Sequence, residues 1–228
     1  MTLTNKEIQK SMTPLMALEI LKQGNYRFVN NLKVNRNLLQ QVNETKEGQY
    51  PFATILSCID SRTSAELIFD LGLGDIFSVR IAGNIVNDDI LGSMEFACKV
   101  AGSKIIVVLG HTNCGAVKGV CEHVEMGNLT GLLHKLQPAL RKTMLTEKST
   151  NNLVDAVAEN NVHLSIDMIL EKSPIIKEMV EKGELGIVGG MYNIESGQVH
   201  FYEEDIRIKE KTAERKAREL ELAPIIHR

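Results

Sequence analysis

The run Lys104-Ile-Ile-Val-Val-Leu-Gly-His111 constrains this chain more than any other segment. It is continuous, rich in β-branched residues and closed by Gly110. Such a run predicts a strand buried on both faces, which requires a sheet covered by helices on either side. Phe52-Ala-Thr-Ile-Leu-Ser-Cys58 has the same character and ends in polar residues. Asp75-Ile-Phe-Ser-Val-Arg-Ile81 predicts another strand, closed by Ala82-Gly83-Asn84. Residues 184–194 predict a further strand, and Ser196-Gly197 predicts a hairpin turn into Gln198-Val-His-Phe-Tyr202.

Between these runs the pattern is helical. Thr13-Pro14 sets a capping residue before a proline at the first helical position, and Leu15, Leu18, Ile20, Leu21 and Phe28 follow at roughly helical spacing. Residues 35–50 are polar and read as a connector. Helices are predicted over 64–71, 88–100, 114–124, 129–145, 153–170 and 174–182. The fold class is therefore α/β: a mainly parallel β-sheet flanked by helices, with an antiparallel edge strand and an N-terminal helical arm. In open sheets of this kind, sites form outside the carboxyl ends of the strands. Cys58 and His111 each stand at such an end.

Composition narrows the function classes. Lys and Arg total 26 against 29 Asp and Glu, a net charge of -3. No basic excess exists to neutralise phosphates, so a nucleic-acid partner is not expected. Trp is absent and aromatics are 4%, which leaves little for base stacking. No apolar run approaches the roughly 18–20 residues that span a bilayer, so no membrane partner is expected. The N-terminus lacks the apolar core of a secretory signal, which points to a cytoplasmic protein with reduced thiols. A chain of 228 residues buries enough surface to need no disulfide staples.

The four cysteines are Cys58, Cys98, Cys114 and Cys121. Two of them fall in chemically dense motifs, Cys58-Ile59-Asp60-Ser61-Arg62 and His111-Thr112-Asn113-Cys114. Two thiolates and an imidazole suit Zn²⁺, and three protein ligands with one open position is the catalytic form of zinc site. Cys114 would begin a helix, where the dipole favours a thiolate. Taken alone, a cysteine in an apolar strand is more often a small core residue, and H-x-x-C is common by chance. The pairing of the two motifs at two strand ends favours the metal site. Cys98 and Cys121 have no such context and read as structural. His123, His134, His163, His200 and His227 have no ligand-spaced partners and read as surface or core residues.

C-x-D-S-R followed by H-x-x-C, with Gly83-Asn84 and the run His111-Thr-Asn-Cys-Gly-Ala-Val-Lys-Gly119, resembles the β-class carbonic anhydrases, bacterial type. The similarity covers about Gly48 to Tyr202. It implies a cytoplasmic zinc lyase that reversibly hydrates CO₂ to bicarbonate and a proton, by attack of zinc-bound hydroxide. Zn²⁺ would be held by Cys58, His111 and Cys114. Asp60 and Arg62 match the family's catalytic dyad, with Asp60 as a fourth ligand in a closed state and paired with Arg62 in an open one. Gln49, Phe77, Phe96 and Gly115 match substrate-binding positions. Gln49 is expected to act across a subunit interface, and Phe96 stands where plant-type members carry tyrosine. The resemblance also implies a homodimer or homotetramer, with the N-terminal arm packed on the neighbour.

Ile55 replaces a tryptophan of the non-catalytic bicarbonate pocket found in allosteric bacterial members, while Arg80 and Tyr192 match its other two residues. Bicarbonate regulation is therefore expected to be weak or absent. The implied organisation is a helical arm at 1–34, a zinc-binding α/β catalytic domain at 35–204 and a charged C-terminal extension at 205–228. Within the extension, 209–221 reads as a solvated helix. Leu222-Ala-Pro-Ile-Ile226 reads either as a docking segment or as a frayed tail. Two alternatives stand beside CO₂ hydration: hydrolysis of a CO₂ analogue such as COS or CS₂ on the same scaffold, and a non-catalytic zinc-stabilised binding module. The Asp60–Arg62 pair favours catalysis, because structural zinc has no need of it.

Overall fold

The β-branched runs form the middle of a five-stranded sheet in a computed structural model that describes residues 5–146, 152–202 and 206–208. The first half of the chain gives α1 (Lys6–Ser11), α2 (Pro14–Val29), α3 (Leu38–Thr45), β1 (Ala53–Ser57), α4 (Ala65–Ile68), β2 (Ile76–Arg80) and α5 (Asp88–Glu95). The second gives β3 (Ile105–His111), α6 (Gly115–Cys121), α7 (Gly127–His134), α8 (Gln137–Thr146), α9 (Leu153–Lys172), α10 (Pro174–Glu181), β4 (Gly186–Tyr192) and β5 (Val199–Phe201). The strand order is β2-β1-β3-β4-β5. The first four strands run parallel and β5 closes the edge antiparallel to β4, as the sequence predicts.

The two-residue period of a strand sorts the apolar side chains onto two faces. Ile55, Ile105, Val107, Leu109 and Val188 point to one face, where Ala17, Leu18 and Leu21 of α2 and Ala65 and Ile68 of α4 cover them. Leu56, Ile106, Val108 and Ile187 point to the other, beneath α5, α9 and α10. Every residue of β1 and β3 is buried. A third apolar cluster, built on α6 through α9, sits beside the carboxyl ends and includes Cys58 and Cys114. β2 lies at the free edge and is only partly covered. Among the described residues no helix is long and apolar enough to cross a membrane.

The N-terminal helices are tied to this sheet by polar side chains. Thr13 caps α2 by accepting from the Met16 N–H. Gln9 of α1 is buried and donates to the Pro51 and Ala101 carbonyls at 2.7 and 2.8 Å. Asn25 of α2 donates to the carbonyls of Ile68 and Gly197 and accepts from the Val199 N–H.

Three elements differ from the sequence reading. The polar stretch 35–50 contains α3, capped by Asn37 and anchored by a wholly buried Gln41 that accepts from the Leu73 N–H. Its single buried contact is polar, so no apolar stripe announces it. The helix predicted over 129–145 is two, α7 and α8. Pro138 stands in the first turn of α8, where its missing N–H costs nothing, whereas inside one continuous helix it would break the ladder. The helix predicted over 88–100 is α5 followed by a wide π-turn over Phe96–Val100, closed by the Ala101 N–H on the Phe96 carbonyl. Of the C-terminal extension, residues 206–208 are described: Arg207 bridges antiparallel to Ile187. The predicted helix at 209–221 and the apolar segment at 222–226 lie outside the described residues.

Asp70 links the N-terminal region to α4. It is buried, has a φ of 46°, and accepts from Arg27 Nε at 2.6 Å, Arg36 Nη1 at 2.5 Å and the Val34 N–H at 3.3 Å. Burial pushes its carboxyl up, but the Arg27 and Arg36 hydrogen bonds and the Val34 amide together bring it below its ordinary value. A carboxylate lowered in the fold contributes stability above its unfolded pKa and loses it as pH falls through the folded one. Asp70→Asn keeps the shape and leaves two guanidinium groups short of a counter-charge. At neutral pH it is expected to lower unfolding stability by about 2–4 kcal/mol, discounted for the partial exposure of Arg27. Urea unfolding at fixed protein concentration checks this. The gap between wild type and variant should narrow in acid, and equal midpoints at pH 7 would refute the assignment.

Candidate metal centre

Parallel pairing of β1 with β3 sets Ser57 beside Leu109, so the residues that follow emerge at one rim. Cys58 leaves the end of β1, His111 is the last residue of β3, and Cys114 caps α6 three residues on. Their ligand atoms all lie within 4.8 Å of one another, and all three side chains are buried. The Cys58 and Cys114 sulfurs are 4.0 Å apart. Ligand atoms in a tetrahedral zinc shell sit about 3.5–3.8 Å apart, so this is a slightly expanded shell. Among the described residues it is the one group of three or more potential metal ligands.

The donor chemistry fits such an ion. His111 Nδ1 lies 2.9 Å from the Thr112 carbonyl. That bond requires the proton on Nδ1 and leaves a lone pair on Nε2. His111 Nε2 is buried with no hydrogen-bond partner, which is costly unless a cation takes the lone pair. The Cys58 thiol is lowered, first by its contact with Cys114, against the opposing effect of burial, and then by His111 and the Gly83 amide. Cys114 is pushed up, first by Cys58 and then by burial. One thiol of the pair thus ionises readily, and a divalent cation is the natural means of removing the second proton. Cys98 is different: burial pushes its thiol up to about 12, and it sits in the apolar cluster under α5. Cys121 is also raised by burial.

The loop after Cys58 is held by its own carbonyls. Thr63 Oγ1 donates to the carbonyls of Cys58 and Asp60 at 3.2 and 2.9 Å. Arg80 Nε donates to the Cys58 carbonyl at 3.0 Å and Nη2 to the Asp60 carbonyl at 2.6 Å. The loop between His111 and Cys114 is held likewise. Asn113 adopts a φ of 53° and donates its N–H to Asp155 Oδ1 at 2.8 Å, while Thr112 donates its N–H to the Tyr192 carbonyl at 3.0 Å. Thr63 and Asp155 escape sequence reasoning because a hydroxyl or carboxylate that serves the backbone has no spacing rule.

Asp60 and Arg62 meet in a forked pair, with Nε to Oδ1 at 2.9 Å and Nη2 to Oδ2 at 2.7 Å. The Arg62 N–H also donates to Oδ1 at 3.0 Å. The guanidinium bond, ahead of any other influence, holds the Asp60 carboxyl well below the usual carboxylate range. Cys58, Asp60, Gly115 and Leu133 line one cleft of about 460 Å³. Nothing obstructs Gly115: a Cβ there would meet no atom within 4 Å.

The remaining sequence candidates stand elsewhere in the chain. Gln49 is exposed in the loop before β1, at the opposite end of the strand from Cys58. Phe77 and the half-exposed Phe96 pack edge to face, 6.3 Å apart, in a separate groove of about 830 Å³ along β2. Ile55 is wholly buried in the core, and Tyr192 is also buried, at the end of β4.

The family model described as carbonic anhydrase matches residues 53–199. Over 193 residues the chain is 36% identical to carbonic anhydrase 2 of Mycobacterium tuberculosis, covering 81% of this chain and 91% of that protein. Its fold matches the β-carbonic anhydrase CcaA with a TM-score of 0.66 and 26% identity, over 84% of this chain and 99% of that one. It also matches a tetrameric β-carbonic anhydrase of Sordaria macrospora, with a TM-score of 0.66 and 24% identity over 72% and 90% of the two chains.

The geometry predicts about one zinc per chain, the stoichiometry of a single three-ligand site. Elemental analysis should find zinc lost in Cys58→Ser and retained in Cys98→Ala and Cys121→Ser. Loss of zinc from Cys98→Ala with the fold intact would sink the ligand set.

Proposed function

Because the chain belongs to the β-class carbonic anhydrase family, we propose that it interconverts CO₂ and bicarbonate with Zn²⁺ held by Cys58, His111 and Cys114. The observation that carries this reading is the convergence of three buried ligand atoms beside a forked Asp60–Arg62 pair. Three ligands leave a fourth position for substrate, and the two thiolates match the charge of a divalent cation. When bound, the ion supplies the Lewis acidity that lets water ionise near neutral pH and become the nucleophile.

The chain's residues do the rest. Asp60 stays ionised because Arg62 binds both of its oxygens, so it can accept a hydrogen bond from the nucleophile and orient it. The same fork occupies both carboxylate oxygens, and Asp60 stands outside the group of converging ligand atoms, which supports the open arrangement. Thr63 and Arg80 fix the Cys58–Asp60 backbone, so the carboxylate and the sulfur keep their spacing. Leu133 and Ala116 give the cleft an apolar wall suited to CO₂, and Gly115 leaves room for a substrate oxygen next to the ligands.

A second chain completes the site in this reading. Gln49, Phe77 and Phe96 lie away from their own cleft, and β1 alone separates Gln49 from Cys58 by about 17 Å. Leu67, Phe96 and Val100 are exposed at 60%, 51% and 72%, apolar surface that a neighbouring copy would cover in this reading. We place the three substrate-binding side chains in the cleft of a neighbouring copy.

CO₂ hydration by purified, zinc-replete protein is the primary test, and absence of acceleration over buffer would refute the function. Arg62→Ala should keep its zinc and lose about 10–100-fold in kcat/KM, because Asp60 is no longer held in place. Wild-type turnover in that variant at neutral pH would remove Arg62 from the mechanism. The protein should be at least a dimer at micromolar concentration, and Gln49→Ala should cost about 1–3 kcal/mol in kcat/KM with zinc content unchanged. A fully active monomer by light scattering would contradict the shared site.

A further inference from the structure

We propose that Asn161 is a positioning residue for the metal centre, acting through Gly83 on the sulfur of Cys58. The proposal rests on the reading of Cys58 as a metal ligand. Asn161 lies on α9, is 5% exposed, and stands among apolar neighbours: Val157, Ala158 and Val162 of the same helix are buried in the clusters beside it. A buried amide in such surroundings is costly unless it is bonded. Its Nδ2 donates to the Gly83 carbonyl at 2.9 Å, joining α9 to a turn 78 residues earlier in the chain.

Gly83 is the pivot. Its φ and ψ of 67° and 19° are left-handed, within the short 3-10 turn Ala82–Asn84. A glycine has little steric preference of its own, so its partners set its orientation. A Cβ there would meet Leu136 Cδ1 at 2.9 Å and Ala116 Cβ at 3.4 Å, so the turn is pinned from one side by packing. Asn161 holds its carbonyl, and its N–H donates to Cys58 Sγ at 3.3 Å. An N–H aimed at a thiolate draws charge from the sulfur and fixes its lone pairs relative to the cation. Asn161 thereby governs a metal ligand that it does not touch. Asn160, its neighbour in sequence, bonds instead to Thr143 and the Ala156 carbonyl.

The test uses Asn161→Leu, which keeps the branching and heavy-atom count and removes the donor, and Asn161→Asp, which sets an oxygen against the Gly83 carbonyl. Zinc affinity is measured on the full-length protein by competition with a chromophoric chelator. The sulfur-to-cobalt charge-transfer band is measured after loading with Co²⁺. Both variants should fold and assemble as wild type, bind zinc about 10–100-fold more weakly and shift the cobalt band, with Asn161→Asp the weaker binder. Folded variants that bind zinc within about twofold of wild type and leave the band in place overturn the proposal, since an amide that only fills the core would do that. If neither variant folds, wild-type protein loaded with ¹¹³Cd decides. Scalar coupling from the Gly83 amide proton to cadmium through sulfur is expected, and its absence overturns the proposal. A wild-type chain that binds no metal would instead remove the ligand set itself, and this inference with it.

Discussion

Everything at the site depends on the parallel pairing of β1 with β3. The two strands are adjacent, buried on both faces and in a register that places Ser57 beside Leu109. Cys58 and His111 are far apart in sequence, yet the pairing delivers both to the same end of the sheet. The register is not free to slip. Moving β3 by one residue would turn Ile105, Val107 and Leu109 from the face under α2 to the face under α9, where the alternate set already packs, and a slip of β1 would do the same to Ile55. The burial that stabilises the fold therefore also fixes where the sulfur and the imidazole emerge.

Beyond the strand ends the backbone is irregular, and hydrogen bonds take over from packing. Thr63 and Arg80 hold the carbonyls after β1, and Asp155 and Tyr192 hold the turn after β3. Asn113 and Gly83 both sit in left-handed conformations, which asparagine and glycine reach at little steric cost. Helix α9 contributes to both loops, through Asp155 at its start and Asn161 at its middle. Long, half-buried and packed on β3 and β4, it braces both turns from one element.

The strands and most helices were legible because apolar periodicity is a local property of the chain. α2 was legible from Thr13, Pro14 and its leucines. α3 was not, because its one buried contact is the polar Gln41, and the break before α8 is masked by leucines that keep helical spacing past Pro138. The metal cluster was legible because its ligands fall in two short motifs, each closing a predicted strand. The same residue type is a ligand candidate at Cys58 and a core filler at Cys98, distinguished in sequence by the strand end at Cys58, the flanking Asp60, Ser61 and Arg62, and the second motif at His111–Cys114.

The sequence by itself determined the sheet, the parallel sense of its strands and the three residues able to bind a cation. It did so because strand period and ligand chemistry are written in contiguous residues. Tertiary structure alone decided that His111 keeps its lone pair on Nε2, that Arg62 rather than the cluster takes the Asp60 carboxylate, and that Gly83 aims its N–H at Cys58. It also decided that Phe77 and Phe96 line a groove along β2, separate from the cleft that Cys58 and Asp60 line. Each of those is a direction in space, set by how the loops beyond the strands are held, so even where the partner is one or two residues away no pattern along the chain encodes it.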